Sequence, residues 1–524
     1  MKYSKFIALL LAASPMVNAQ SFIRTELPTE VTRPWEITYG PDDHLWLTEK
    51  EGKVSRVDPN TGTKTVVFTA SDYFPGSSLE DLDACENPSI GYGTLGLALD
   101  PDFSNPEFAF IYYVYSYNSG TTPNPATKFR IKRLQWDATT NTVVADTNLI
   151  NLIANGHAHQ GGRLLAVKQA NTSYLYLSIG DHGPSELSAP DCYSPQSENP
   201  NNFAQDVTTA NGKIHRYNID GTIPFDNPIA ENSFFTRGHR NPQGLLYNPS
   251  LGLVYDIEHG DFADDEINVL YKGMNYGWKN VRGYHDDETI PGETDYVANY
   301  VGHPDIPNDS LVEALYSWCT DVDTSSATNN SIWCTVAPSG GAFYDAYTIP
   351  QWTNSILAVT LKDGVDTDRE VYQFNLDNDG KIAESTIDEP NPTKFFGEDQ
   401  AINGRLRDIA ISSDGHKIFL VNNGGTDSDK IIVYTYDSTD TGIGENDNQS
   451  ILVYPNPVMD VLYFSEIEKI NKFQSLQITD ISGKHVFESD EPSASLKVDH
   501  LAPGVYIVKL ISENAIQSIR FVKH

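Results

Sequence analysis

Two histidines and an aspartate are the first group of side chains whose types and spacing suit chemistry. They are His157, His159 and Asp181. Because alternate residues of a strand face the same side, the two histidines could bind a metal ion together. One histidine could instead act as a general base, with Asp181 orienting its ring and stabilising the imidazolium. A structural role is the third interpretation, and the spacing leaves all three open.

A second group of polar residues lies in the turn RGHRNPQG at residues 237–244. Arginine and amide side chains crowded into one turn indicate an anionic ligand, because their N–H donors need acceptors. Carboxylates then recur at short intervals between Glu258 and Asn268. Oxygen ligands at this density suit Ca²⁺. The alternative, in so acidic a chain, is a solvated loop.

Basic side chains form a third group. Arg405 and Arg407 alternate along a predicted strand, and Lys362 precedes them. The chain has 36 Lys+Arg against 71 Asp+Glu, a formal net charge of −35. Such acidity argues against binding to nucleic acid or anionic lipid. Grouped cations in this chain favour a small ligand with several carboxylates, with surface salt bridges as the alternative.

A repeated strand pattern must position these groups. An alternating apolar run, a turn rich in Pro, Asp, Gly or Asn, and a second run of β-formers recur six times. Since one hairpin cannot bury its own apolar face, the repeats predict an all-β fold, a six-bladed β-propeller with roughly four strands per blade. The copies are Trp35–Glu49, Leu95–Ser116, Gly162–Asp181, Asn241–Gly260, Gly341–Gly364 and Leu406–Gly425.

The two ends of the chain differ from the repeats. Residues 1–19 have a basic start, an apolar run from Phe6 to Ala13 and a small-residue ending, the pattern of a secretory signal peptide. No other apolar run reaches the roughly 20 residues of a membrane-spanning helix, so we expect an exported protein without a transmembrane segment. The predicted domains are a signal peptide at 1–19, the propeller at 20–437, a linker at 438–449 and a small C-terminal β-sandwich at 450–524.

Export makes disulfide bonds possible for the four cysteines, Cys85, Cys192, Cys319 and Cys334. Four cysteines allow three pairings, and we prefer Cys319 with Cys334 because this pair closes a short loop. The cysteines lack the spacing of a zinc site. Structural bridges or buried thiols are therefore expected.

The C-terminal segment resembles the sorting domain of proteins exported by type IX secretion. The resemblance rests on YPNP at 454–457, ITDISGK at 478–484 and GVYIVK at 504–509. It implies recognition by the secretion machinery and delivery to the periplasm, the cell surface or the medium. An accessory β-module, for example a carbohydrate-binding one, is the alternative.

The preceding motifs resemble the soluble glucose and aldose sugar dehydrogenases that depend on pyrroloquinoline quinone (PQQ). The family is a six-bladed propeller, in agreement with the number of repeats. The stretches that carry the resemblance include GPDDHLWLTEKEGKVSRVDPNTG (40–62), GTLGLALDPDF (93–103), AHQGGR (158–163), RGHRNPQG (237–244), DDEIN (264–268), GMNYGWKNVRGYHDD (273–287), LKDG (361–364) and RLRD (405–408).

The resemblance implies a role for each matching position. His159 matches the base that removes the proton from the anomeric hydroxyl, Asp181 its partner, and Arg240 the cation beside the reacting quinone carbonyl. The residues implied to hold PQQ are Arg240, Asn241, Gln243, Thr335, Lys362, Arg405 and Arg407. The residues implied to bind Ca²⁺ are Gly260 and Asp261, through their carbonyls at the cofactor, and Asp265, Glu266, Tyr276, Arg282, Tyr284 and Asp286 at a further pair of sites.

The implied reaction is oxidation of an aldose at C1 to the lactone, with electrons passing to an external acceptor. Gly91, Ala158 and Asp261 stand where the family has an amide, an acid and a proline, and the first two bear on the preferred sugar. A homodimer is a further possible state. The alternatives are a metal-dependent lactone hydrolase, with His157, His159 and Asp181 as ligands, and a non-catalytic sugar-binding propeller.

Overall fold

The computed structural model divides into Ala19–Asp440 and a second unit that includes Thr441–His524. In the larger unit the structure describes residues 21–73, 93–118, 127–153, 159–182, 202–261, 263–287, 291–318, 335–362, 369–386, 390–424 and 429–437. In the smaller unit it describes residues 453–454, 458–464, 473–480, 484–489, 493–502, 504–512 and 516–523. The predicted signal peptide, linker and disulfide, together with His157, Gly91 and Ala158, lie outside these residues.

Strand β1 (Ser21–Glu26) begins the larger unit, whose strands form six four-stranded antiparallel sheets. The first three sheets consist of β2 (Pro34–Tyr39), β3 (Leu45–Glu49), β4 (Lys53–Val57) and β5 (Lys64–Thr69); of β6 (Thr94–Leu99), β7 (Phe110–Asn118), β8 (Thr127–Asp137) and β9 (Thr142–Ile153); and of β10 (Leu164–Gln169), β11 (Thr172–Ile179), β12 (Lys213–Asn218) and β13 (Phe234–Arg237). The last three consist of β14 (Pro242–Asn248), β15 (Leu253–Glu258), β16 (Asp265–Val269) and β17 (Tyr316–Trp318); of β18 (Pro338–Tyr344), β19 (Ser355–Thr360), β20 (Val371–Asn375) and β21 (Thr393–Phe395); and of β22 (Leu406–Ile411), β23 (Lys417–Asn422), β24 (Ile431–Asp437) and β1.

Each predicted hairpin occurs as the first two strands of one sheet. These strands are buried on both faces, as β3 and β19 illustrate, where every residue is buried. A strand buried on both faces needs apolar cover on each side. The sheets therefore pack face to face, and the ring contacts between Trp46 of the first sheet and Trp136 of the second are one example.

The sixth sheet is completed by the opposite end of the unit. Strand β1 pairs antiparallel with β24, from Ser21 opposite Asp437 to Glu26 opposite Ile432. The six repeats did not predict this strand, because β1 has no hairpin partner nearby in sequence. Its pairing joins the two ends of the larger unit through main-chain hydrogen bonds.

The first strands of the six sheets contact one another in a closed series, from β2 through β6, β10, β14 and β18 to β22 and back to β2. A cavity of about 430 Å³ lies between them and is lined by residues from all six. The larger unit is therefore mostly β, and its arrangement is consistent with a β-propeller.

Arg163, the residue before β10, joins several sheets at the end of this cavity. Its Nη1 lies 2.5 Å from Glu36 Oε2 in β2 and 2.9 Å from Asp408 Oδ2 in β22. Its Nε donates to the main-chain oxygen of Gln243 in β14 at 2.8 Å. All three charged side chains are buried. Arg163 thus cross-links four of the six sheets by charge-assisted hydrogen bonds.

The smaller unit contains two sheets that share one apolar core. A three-stranded sheet consists of β25 (Val453–Tyr454), β26 (Val461–Phe464) and β29 (Ser495–Lys497), and a four-stranded sheet of β27 (Ser475–Asp480), β28 (His485–Ser489), β30 (Gly504–Ile511) and β31 (Ile516–Lys523). Buried residues of both sheets, such as Phe464, Ile478 and Val508, pack together. Alternating burial along β30 follows the period of two that the sequence shows.

Helical structure is sparse among the described residues. The two α-helices are α1 (Glu293–Ala298) and α2 (Gln400–Asn403), and short 3₁₀ turns occur at Pro106–Phe108, Pro350–Trp352 and Gly397–Asp399. Within the described part of the chain, no helix has the length and apolar character needed to cross a membrane.

Candidate active site

His159 and Asp181 form a hydrogen-bonded pair at one end of the third sheet. His159 comes before β10 and Asp181 after β11, so the antiparallel pairing of these strands brings both residues to the same end. His159 Nδ1 lies 2.7 Å from Asp181 Oδ1, and the carboxylate is buried. With Nδ1–H donated to the carboxylate, Nε2 is the nitrogen that can accept a proton.

Two donors hold the other oxygen of Asp181. Trp278 Nε1 and Asn202 Nδ2 each lie 2.8 Å from Asp181 Oδ2. A carboxylate that accepts several hydrogen bonds is held in one orientation. Neither donor was predicted as a site residue. Trp278 belongs to the NYGW stretch that carries the family resemblance, whereas no pattern in the sequence marks Asn202.

Arg240 lies beside this pair. Its guanidinium carbon is 5.6 Å from the centre of the Trp278 ring, and its main-chain oxygen accepts a hydrogen bond of 2.7 Å from the main-chain nitrogen of Asp181. Nη1 is 3.3 Å from the oxygen of His259, and Nη2 is 3.3 Å from Asp261 Oδ1. Asp261, which replaces the proline of the family, therefore pairs with Arg240.

Gln243 connects the turn that carries Arg240 to the sixth sheet. It donates to Asn241 Oδ1 at 2.7 Å and accepts a hydrogen bond of 2.6 Å from Arg407 Nη2. Arg240 and Arg407 are buried, yet the Nε–H of each donates to no described residue. Buried arginine donors without acceptors fit an anionic ligand such as the tricarboxylate PQQ.

Further cations surround Arg407. Burial, followed by the positive charges of Arg163 and Arg405, lowers the pKa of Arg407 well below its ordinary value. Lys50, at the end of β3, belongs to the same group, because burial and the charges of Arg407, Arg33 and Arg405 lower its pKa to about 8. Sequence reasoning missed Lys50, although it lies in the stretch 40–62 that carries the resemblance. Arg405 itself is exposed.

Arg407 also lies against an indole ring. The guanidinium carbons of Arg163 and Arg407 are 4.2 Å and 4.3 Å from the centre of the Trp35 ring. Trp35 is buried. Cation–π contacts of this kind hold a guanidinium in one orientation. Trp35 therefore connects the Arg163 cross-link to an arginine of the site.

Asp265 organises the region between the fourth and fifth sheets. Its Oδ2 accepts hydrogen bonds from Thr335 Oγ1 at 2.6 Å and from the main-chain nitrogens of Val336 and Ala337. Its Oδ1 accepts from the main-chain nitrogen of Gly260 at 2.9 Å. Both oxygens are thus committed to hydrogen bonds that join two turns. Lys362 extends this region, since its main-chain nitrogen donates to the oxygen of Val336.

The other predicted calcium ligands lie in the loops that follow. Glu266 accepts a hydrogen bond of 2.6 Å from the main-chain nitrogen of Gly283, while the Tyr276 hydroxyl donates to the oxygen of Val269 at 2.5 Å. Tyr284 and Asp286 share a turn in which the nitrogen of Asp286 donates to the oxygen of Tyr284 at 3.1 Å. Tyr276 could therefore bind an ion through its carbonyl but not readily through its hydroxyl.

Two buried carboxylates near Arg282, those of Glu293 and Asp261, each have an oxygen that could bind Ca²⁺. Glu293 in α1 uses Oε1 to accept the main-chain N–H of Arg282 at 2.8 Å, and its Oε2 accepts no hydrogen bond from a described residue. Asp261 Oδ2 likewise accepts none, although Arg282 Nη2 is 3.4 Å away. Burial raises the pKa of Glu293 to about 8. Buried carboxylate oxygens without donors fit a calcium ion, and Glu293 was not predicted.

The environment of His159 disfavours the protonated form of its ring. Burial, and then the positive charge of Arg240, lower the pKa of His159 below its ordinary value of 6.5, while Asp181 acts in the opposite direction. A neutral imidazole held by a carboxylate can take up a proton at neutral pH. The pair thus has the arrangement of a general base.

Two solved sugar dehydrogenases have the same fold. The soluble aldose sugar dehydrogenase of Escherichia coli, in its apo form, superimposes with a TM-score of 0.57 at 21% identity, covering 80% of this chain and 100% of the other. The PQQ-bound aldose sugar dehydrogenase of Streptomyces coelicolor superimposes with a TM-score of 0.53 at 22% identity, covering 80% and 99%. These likenesses establish the fold class.

The chain belongs to the glucose/sorbosone dehydrogenase family, which its residues 31–432 match. Quinoprotein glucose dehydrogenase B of Acinetobacter calcoaceticus is 29% identical over 461 residues, which cover 80% of this chain and 89% of the relative. Residues 452–524 match the secretion system C-terminal sorting domain. Both family resemblances, and the prediction of an oxidoreductase of the sugar dehydrogenase type, are confirmed.

Proposed function

We propose that the larger unit oxidises an aldose at C1 to the lactone with PQQ and Ca²⁺ as cofactors. The observation that carries the proposal is His159, which is held by a buried carboxylate and lies close to Arg240, a buried arginine with an unused donor. The family membership and the named activities of the relatives support it. When bound, PQQ supplies the acceptor for the hydride equivalent that leaves C1, and Ca²⁺ supplies Lewis-acid polarisation of a carbonyl.

The residues of the chain then have distinct tasks. His159 Nε2 takes the proton of the C1 hydroxyl, and Asp181 stabilises the imidazolium that forms. Arg240 would provide a fixed positive charge beside the place where a bound cofactor takes up negative charge. The residues that would hold the carboxylates and edges of the cofactor are Asn241, Gln243, Thr335, Lys362, Arg405 and Arg407, together with Lys50. The ligands that would hold Ca²⁺ are Gly260 and Asp261 at the cofactor, with Glu266, Tyr276, Arg282, Tyr284, Asp286 and Glu293 for the further ions.

We also propose a domain organisation and an export route for the chain. The six four-stranded sheets would be the blades of a propeller at 20–437, and the two sheets of the tail a β-sandwich at 450–524 joined by a linker at 438–449. A signal peptide at 1–19 would direct export, and the tail would engage the type IX secretion machinery. The sorting-domain match at 452–524 supports this route.

Reconstitution of the cofactor-free full chain tests the proposed reaction. A panel of aldoses and an artificial electron acceptor are supplied with PQQ, with Ca²⁺, with both and with neither. We expect sugar-dependent reduction of the acceptor, and lactone formation, only with both. If no sugar gives turnover that depends on PQQ, the proposal is contradicted. Lactone hydrolysis with metal alone would favour the hydrolase, and sugar binding without turnover the non-catalytic propeller.

Replacing Trp35 by leucine is expected to weaken PQQ binding by about 10-fold, or ~1.4 kcal/mol, because Arg407 loses the ring that orients it. PQQ affinity of the cofactor-free protein is measured by fluorescence titration. Trp136 is the matched control, since it is equally buried at 3% and also contacts an arginine, Arg56, outside the site. Trp136→Leu should lower the melting temperature without changing PQQ affinity. Equal PQQ affinity of Trp35→Leu and wild type would contradict the positioning role.

The pKa of His159 in the cofactor-free protein is expected to lie below 6.5, because burial and Arg240 both disfavour the imidazolium. Asp181→Asn should lower the pKa further, since Asp181 favours the charged ring. The measurement is an NMR titration of the histidine ring signal that His159→Asn removes. A pKa above 6.5, or a rise in Asp181→Asn, would show that the site does not hold His159 neutral.

A further inference from the structure

A second cluster of buried polar side chains lies within the fourth sheet, apart from the residues assigned to the cofactor. Asp256 and Glu258 are alternate residues of β15 and therefore leave the sheet on the same face. Asn268 of β16 is the register partner of Asp256, and Glu266 that of Glu258. His239, from the turn before Arg240, covers this face. Asp256, Glu258, Asn268 and His239 are all buried, with exposures of 4% or less.

Three oxygens of this cluster have no hydrogen-bond donor. Neither oxygen of Asp256 accepts a hydrogen bond from a described residue, and the same holds for Oδ1 of Asn268. Asp256 has an exposure of 0% and Asn268 of 1%. Buried acceptors are normally satisfied, and leaving a charged one unsatisfied costs several times more than leaving a neutral one. His239 is an ion-pair partner of Asp256 through Oδ2, but Oδ1 of Asp256 and Oδ1 of Asn268 have no donor among the described residues.

The side chains converge on one point. His239 Nδ1 lies 2.9 Å from Glu258 Oε2 and 3.3 Å from Asp256 Oδ2. The other ring nitrogen, Nε2, is 2.8 Å from Thr236 Oγ1, which can accept a hydrogen bond from the Nε2–H group. In that tautomer the lone pair of Nδ1 points between the two carboxylates. The possible ligand atoms of His239, Asp256 and Glu258 lie within 4.8 Å of one another.

The charges around His239 Nδ1 help to decide whether a metal ion or a proton occupies the space between the side chains. Asp256 and Glu258 bring two carboxylates to the ring of His239, and like charges this close repel each other. A proton on Nδ1 would add one positive charge and donate one hydrogen bond. It would leave oxygens of Asp256 and Asn268 unsatisfied, whereas a divalent ion can bind several oxygens at once.

We propose that His239, Asp256, Glu258 and Asn268 bind one divalent transition-metal ion of the Zn²⁺ or Mn²⁺ type. One imidazole nitrogen with carboxylate and amide oxygens is a ligand set for such ions. Metal–ligand bonds of about 2.1 Å place neighbouring ligands about 3 Å apart in octahedral geometry, close to the two distances at His239 Nδ1. Ca²⁺, which prefers oxygen ligands alone, suits this set less well than it suits the Asp261–Glu293 region.

The ion would stabilise the turn that carries Arg240. Glu258 Oε1 accepts the main-chain N–H of Arg240. The ring of His239 stacks on Tyr276, with ring centres 4.8 Å apart. An ion bound to His239 and Glu258 therefore joins β15 to that turn. Its effect is on stability and on the position of Arg240, and the site does not depend on PQQ.

Metal analysis of the full chain tests the proposal. The protein is stripped with a chelator, incubated with Ca²⁺ and one equivalent of Zn²⁺, desalted and analysed by plasma mass spectrometry. We expect one Zn²⁺ per chain in the wild type and at least a tenfold weaker Zn²⁺ affinity in Asp256→Asn, which preserves shape and removes a ligand charge. Asp286→Asn, a change in the predicted calcium region, is the matched control and should retain Zn²⁺. Zn²⁺ should raise the melting temperature of the wild type and of Asp286→Asn only.

Two results would overturn the proposal. One is equal Zn²⁺ content in Asp256→Asn and wild type, which would place the ion elsewhere on the protein. The other is a wild type that binds no Zn²⁺ or Mn²⁺, in which case His239 holds a proton and no metal. If Asp256→Asn does not fold, the site is tested by X-ray absorption spectroscopy of the Zn²⁺-loaded wild type. Scattering from one imidazole ring is then expected, and its absence contradicts the site.

Discussion

Replacing His159 by asparagine is expected to lower the turnover number for aldose oxidation by about 10²- to 10⁴-fold, the usual contribution of a general base. The variant loses the nitrogen that is proposed to take the C1 hydroxyl proton. Asparagine is chosen because the φ of His159 is 47°, in the left-handed region that asparagine tolerates better than other non-glycine residues. The backbone beside Asp181 should therefore keep its conformation.

Three measurements separate loss of the base from loss of the site. PQQ affinity and melting temperature of His159→Asn should match the wild type, because the arginines that would hold the cofactor are untouched. Asp181→Asn should lower turnover less, since the base is still present but is no longer held or stabilised by a carboxylate. A His159→Asn variant with wild-type turnover would assign proton removal to another residue. A parallel loss of PQQ binding would indicate a damaged site.

Replacing Arg163 by methionine is expected to lower the free energy of unfolding by about 3–5 kcal/mol, the cost of removing one member of a buried ion pair. Glu36 and Asp408 would remain buried without their cation. Burial already holds the pKa of Glu36 well above its ordinary value. The charge of Arg163 lowers this pKa, and the charge of Asp408 raises it. Loss of Arg163 should therefore leave one of the two carboxyls protonated or the sheets less tightly joined.

Denaturant unfolding of the cofactor-free chain measures this effect. The matched control is Lys168→Met, because Lys168 and Asp102 form an ion pair of 2.8 Å in which both side chains are 45% exposed. Exposed pairs contribute at most about 1 kcal/mol, so the control should unfold nearly as the wild type does. If the two variants unfold at the same denaturant concentration, Arg163 does not hold the sheets together. Trp35 also contacts Arg163, so PQQ affinity should fall as well.

The strand content of the larger unit could be predicted because a local pattern carries it. Alternation with a period of two on both sides of a turn marks each first hairpin, and all six occur where the sequence placed them. Strand β1 escaped prediction because its partner, β24, lies at the other end of the unit. A single strand with half-exposed residues shows no local sign of a distant partner.

The candidate site divides in the same way. His159, Asp181, Arg240 and Arg407 were predicted because they match a family motif, and the two arginines also because grouped cations are unusual in an acidic chain. Trp278 and Lys50 were missed although they lie in stretches that carry the resemblance, whereas Asn202 and Glu293 are unremarkable in their own segments. Asp265 was expected as a metal ligand, and its two oxygens accept four hydrogen bonds from two turns. Its role as a ligand stays a prediction.

The sequence by itself determined the β-rich repeats, the sorting domain and the types of side chain available for chemistry, because these properties depend on neighbouring residues. The tertiary structure decided which of those side chains meet. The partner of Asp181, the neighbours of Arg407 and the buried oxygens of Asp256 are set by contacts between segments far apart in sequence. Such contacts depend on how complete sheets pack, and no local pattern encodes a distance between sheets.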